Sequence, residues 1–172
     1  LLRVIRNDAG ILLASLKPED VLNALDKCPA ETLKACPFAI LVLMRRMFTW
    51  RKVPKMLELK ALLLTAIEEH PELSEEERGN LLGECDLILS FLCYNDISAM
   101  SRLHRSASAQ MSRQAISIRN SGGWTFGSPS VLMMFYRAPR KLASELAEMD
   151  ECMPHYYRIT DGHGQGAETI MR

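Results

Sequence analysis

The chain has 172 residues, enough for one domain with a sizeable core. Its residues are 48% hydrophobic, which excludes a disordered chain, and 21 Lys and Arg balance 21 Asp and Glu, which argues against a polyanion binder over the whole surface. The longest apolar run, FAILVLM at residues 38–44, is too short to span a bilayer.

The first residues lack the basic-then-apolar pattern of a signal peptide. The chain has no initiator Met and breaks off inside GAETIMR, so it is read as a fragment of a larger protein. Its five cysteines are an odd number without close pairs. That spacing fits reduced thiols in a cytoplasmic protein better than a stapled secreted domain.

Strand signals are nearly absent and helical periodicity runs throughout. Prolines at 18, 29, 37, 129 and 139 stand where helices would begin, because the first helical amide needs no intrahelical partner. Residues 1–36 are expected to form N-terminal helices. Beyond them, Leu59, Leu62, Leu63, Ala66 and Ile67 make one apolar stripe, and HPELSEEE ends that helix. Ser74 with Glu77 reads as a capping box for the next helix, whose stripe is Leu81, Cys85, Ile88, Leu89 and Leu92. Asn95 or Asp96 is the expected N-cap of a helix burying Ile97, Met100, His104, Ala107 and Met111. A last stripe, Leu142, Leu146, Met149 and Met153, precedes PHYYRITDGHGQG.

These elements give an all-α chain of antiparallel helix pairs. Starts near Phe38, Asn80 and Ser130 are spaced by more than the ~34 residues of a tetratricopeptide repeat. Pairs that cannot bury their stripes alone still suggest a tetratricopeptide-like α-solenoid over residues 37–172, with a compact helical bundle as the alternative.

Four segments carry a family resemblance: LMRRMFTWRKVPKMLELKALLLTAI, ERGNLLGECDLILSFLCYNDISAMSRLHRSA, GGWTFGSPSVLMMFYR and ECMPHYYRITDGHGQGAE. Together they resemble the central helical region of bacterial LuxR-type transcriptional regulators of the MalT-like class. The resemblance implies a tetratricopeptide-like sensor region, preceded by a nucleotide-binding module and a winged helix and followed by a helix-turn-helix. Residues 1–36 would then include the end of the winged-helix part. The chain itself has no G-x-x-x-x-G-K-[ST] phosphate loop and no recognition-helix pattern. By the resemblance it is a sensor or coupling segment without a cofactor of its own, and DNA is contacted by a domain outside it.

The candidate sites follow from residue chemistry. In SGGWTFGSPS, Trp124 and Phe126 alternate in a glycine-rich loop, where they serve either as plugs between helix pairs or as the wall of a ligand pocket. Tyr156, Tyr157 and His163 lie beside a second glycine-rich stretch and complete the candidate ligand set. DGHGQG does not follow a strand, so its glycines read as helix ends, with Asp161 or His163 making turn hydrogen bonds. Cys152, His155 and His163 offer three zinc ligands where a structural site needs four, so no metal site is assigned. His104 reads as a hydrogen-bonded buried histidine. FGSPS is no nucleophile elbow, and Glu75, Glu76 and Glu77 suit a helix first turn better than an acid–base pair. The chain is expected to be non-catalytic.

Charge is segregated. No acid occurs between Ile97 and Ser144, whereas Arg78 is the one Lys or Arg between Glu68 and Asp96. Pairing across neighbouring helices is the expected arrangement. The alternative is a docking face for an acidic partner, another domain of the same regulator or a second copy, built on Arg102, Arg105 and Arg113. In RRMFTWRK, Phe48 is expected to be buried and the arginines exposed. Two functions remain: a small-molecule sensor, or an interaction and self-association scaffold with no small ligand.

Overall fold

A computed structural model describes residues 1–93, 96–118, 138–166, 168–169 and 172. The described residues are all-helical with turns. The order is α1 (Leu2–Asp8), a short 3-10 turn (Leu12–Ser15), α2 (Pro18–Asp26), α3 (Ala30–Lys34), α4 (Pro37–Thr49), α5 (Val53–Glu69), α6 (Glu75–Ser90), α7 (Ile97–Gln110) and α8 (Leu142–Ile159). Consecutive described helices pack on one another, α4 on α5 and α7 on α8. That is the helix-pair unit expected of either a stacked or a bundled arrangement. No helix among the described residues is long and apolar enough to cross a membrane.

The chain divides into two compact units, Leu1–Leu81 and Leu82–Arg172. In the first, α4 is the central element. Ala39 to Met44 and Met47 are all buried, so this helix is apolar on nearly every side, as its uninterrupted run requires. α5 covers it with Met56, Leu59, Leu63, Ala66 and Ile67, while α1 and α3 also pack on it. Residue 36, the boundary suggested by the sequence, lies inside this unit.

Close packing dictates one glycine here. Gly10 has φ +83°, and a Cβ on it would sit 2.4 Å from Val42 Cγ1. Asp8 fixes the same turn by accepting hydrogen bonds from the amides of Gly10 and Leu12. Arg78 donates to the carbonyls of Ile67, His70 and Leu73, satisfying groups that the end of α5 leaves without helical partners. The capping box is present: the Glu77 amide donates to Ser74 Oγ at 3.1 Å, and Ser74 N donates to the Glu77 carboxylate.

Several expectations need correction. Pro139 does not open a helix; it lies in a turn with Arg140 at φ 66°, and α8 starts at Leu142. Pro154 lies inside α8, which continues through it to Ile159. One lost helical hydrogen bond is outweighed by the stripe that carries on through Met153, Tyr156 and Ile159, all buried. Leu142 is 36% exposed and stands outside that stripe. In RRMFTWRK the buried residue is Met47, not Phe48, which is half-buried. Arg45 and Arg46 are also half-buried, with their guanidinium carbons 5.5 Å from the Phe48 ring centre and 5.8 Å from that of Trp50.

Candidate functional site

The second unit is built on α7 and α8, whose buried faces meet through Met100, Ala107, Met149, Met153 and Tyr156. Asp96 caps α7 by accepting from the Ala99 amide at 3.0 Å, as expected of that position. His104 sits at the centre, 2% exposed. Its Nε2 lies 3.0 Å from Ser90 Oγ and its Nδ1 3.3 Å from Cys152 Sγ. Ser90 Oγ donates to the Leu87 carbonyl, so it accepts from Nε2–H, and Nδ1 then accepts from the thiol. Burial pushes the His104 pKa down to about 4, with a smaller push from His155. Burial also raises the Cys152 thiol, which keeps it protonated for this bond. The arrangement orders a core.

A second polar device holds the chain that follows α7. Glu84 on α6 is fully buried and accepts from the amides of Ile116 (2.8 Å) and Ser117 (2.6 Å), while Arg113 Nη1 pairs with it at 2.9 Å. Gly83 lets that chain approach, since a Cβ there would meet Met111 Cγ at 2.6 Å and the Ala107 carbonyl at 2.9 Å. Ala115 N donates to the Ile159 carbonyl at 2.7 Å. Residues 111–117 are therefore tied to both α6 and α8.

The candidate ligand residues are placed unequally. Trp124 and Phe126 lie outside the described residues, as does Pro129. Tyr156 is 2% exposed, its ring centre 4.8 Å from that of His104 and its hydroxyl 2.7 Å from His163 Nδ1. Tyr157 donates its one hydroxyl hydrogen to the Glu168 carboxylate, lies 3.3 Å from the Gly164 carbonyl and accepts from Gly166 N. The two tyrosines thus brace the turn at 161–166, where Asp161, Gly162, Gly164 and Gly166 have positive φ. Asp161 also accepts from the Gln114 side chain at 3.1 Å, a contact between distant segments rather than the turn hydrogen bond expected of it.

The arginines differ as well. Arg113 is committed to Glu84, inside the acidic stretch, which is pairing between neighbouring segments. Arg105 pairs with Glu151 at 3.1 Å, but Glu151 is 73% exposed. Arg102 is exposed and forms no ion pair among the described residues.

A cleft of about 440 Å³ opens between α7 and α8, lined by Arg105, Ser108, Ala109, Pro154, His155 and Arg158. Its small lining residues are Ser108 and Ala109 on α7 and Pro154 on α8. Arg158 donates from Nε and Nη2 to Ser108 Oγ (3.0 and 2.8 Å), and from Nη2 to the carbonyls of Ser108 and Met111. It caps the negative end of α7 as Arg78 caps α5. Sequence reasoning reached Arg105 and His155 but missed Glu84 and Arg158. The signal available for Arg158 was its cationic position four residues after Pro154 on one helix face.

Among the described residues no cluster of three His, Cys, Asp or Glu is placed to hold a metal, and none of the five cysteines is in a disulfide. No family model, no curated protein and no solved structure matches the chain.

Proposed function

We propose that the chain is a non-catalytic recognition segment, the sensor or coupling part of a LuxR-type, MalT-like transcriptional regulator. In this reading it works in the cytoplasm, binds an effector or relays a signal, and acts on ATPase and DNA-binding domains carried outside these residues. The four resembling segments support the regulator. The cleft between α7 and α8 supports binding, and it is the single observation on which that reading rests. Its volume suits a small molecule, and long polar side chains rim a floor of small ones. An effector held there changes output only if it binds one conformation more tightly than another.

The test is a thermal-shift screen of sugars, nucleotides, amino acids and aromatic metabolites against the wild type and Ala109→Leu. Ala109 is exposed, so leucine fills the cleft without opening the core. The reading expects at least one compound to stabilise the wild type and to lose that effect in Ala109→Leu at an unchanged starting Tm.

Arg102 favours a second reading, a scaffold that docks an acidic partner or a second copy. Its mark is capture that weakens with salt and with Arg102→Gln.

A further inference from the structure

The geometry points to an organic anion as the ligand of the α7–α8 cleft: a carboxylate or phosphate on an apolar body, taken by Arg158, Arg105 and His155. This rests on the cleft being the recognition site. Three side chains make the argument.

The Arg158 guanidinium is already fixed in plane by its bonds to Ser108 and the Met111 carbonyl, while its Nη1 hydrogen-bonds no described residue. A donor held in place before binding loses little freedom when an oxyanion arrives. Arg105 is anchored by Nε to Ser101 Oγ at 3.3 Å and offers Nη2 to Glu151. That pair is exposed and therefore weak, so an incoming oxyanion can replace the Glu151 carboxylate. Half-buried His155 lines the same wall, and neither of its ring nitrogens hydrogen-bonds a described residue.

Ala109 and Pro154 supply the apolar surface for the ligand body. A neutral ligand of the same shape would cover these guanidiniums without replacing the hydrogen bonds they lose from water. The cleft therefore discriminates by charge.

Calorimetric titration of the whole chain with benzoate, phenyl phosphate and neutral benzamide at low salt tests the inference. Either anion binding saturably and at least about tenfold more tightly than benzamide is expected, tenfold being the scale of one charge-assisted hydrogen bond. The two anions together show whether carboxylate or phosphate is preferred. Arg105→Gln should weaken binding about tenfold. Glu151→Gln should tighten it about threefold by removing the internal competitor, a gain that a merely structural Glu151 would not give. Failure of both anions to bind overturns the inference. Benzamide binding as well as benzoate, with no effect of Arg105→Gln, removes the charge assignment while the cleft stays a site. Anion binding unchanged by Ala109→Leu places the site elsewhere and overturns the cleft reading with it.

Discussion

Ser90, Cys152 and Tyr156 surround the His104 imidazole, none of them an anion, and the charge that acts on it comes from another histidine, His155, which disfavours its proton further. A proton on this ring would be buried without a counter-charge, so folding prefers it neutral. The folded pKa of about 4 lies below the ordinary 6.5, hence the unfolded chain takes the proton first. Stability from this group is complete above pH 6.5, falls as pH drops toward 4, and levels off below that. The loss is about 3 kcal/mol. Urea unfolding from pH 7 to 4 should show His104→Leu, although weaker at pH 7, losing about 3 kcal/mol less than the wild type over that window. Parallel curves for the two proteins would remove His104 as the acid-sensitive group. Tyr156→Phe should cost about 1 kcal/mol, one hydrogen bond to His163, with the core otherwise filled.

Single elements are decided by a few polar contacts on an apolar frame. Removing Glu84 leaves two amides and Arg113 without their acceptor beneath a fully buried position. Glu84→Ala should therefore destabilise by about 3 kcal/mol in urea titration. Arg113→Ala should cost less, because Arg113 is one-third exposed and Glu84 keeps both amides. Equal losses would mean that the ion pair, and not the amide clamp, holds residues 111–117. Ser74→Ala should cost about 1 kcal/mol through the lost cap of α6, visible as a lower midpoint at an unchanged slope.

Legibility in the sequence follows from range. The stripe Ile97, Met100, His104, Ala107, Met111 and both caps, Ser74 and Asp96, were readable because they depend on spacings of three and four residues. Pro139 misled because a proline suited to the first position of a helix is equally suited to a turn. Glu84 resisted reading for another reason: its partners lie about thirty residues away, and an acid on a helix looks like solvated surface until its neighbours are known. The cleft is of the same kind, since Ala109 and Pro154 mean nothing individually.

At the scale of the whole molecule, the even charge balance conceals local assignments. In the acid-free stretch from 97 to 144, Arg113 pairs with the buried Glu84 and Arg105 with the exposed Glu151, while Arg102 forms no ion pair among the described residues. Two compact units each carry their own core, and the cleft lies in the second, between α7 and α8. The helix-pair character was legible because periodicity reports it directly. The regulatory role is a proposal that rests on the resembling segments and on this cleft, and the position of bound ligand tests the cleft.

That position is read by hydrogen exchange of the whole chain, with and without the strongest stabilising compound from the screen. Added protection should appear in peptides covering residues 105–109 of α7 and 154–158 of α8, and should vanish in Ala109→Leu. Protection confined to residues 119–137, around Trp124 and Phe126, or to the first unit, would contradict the assignment of the cleft as the recognition site.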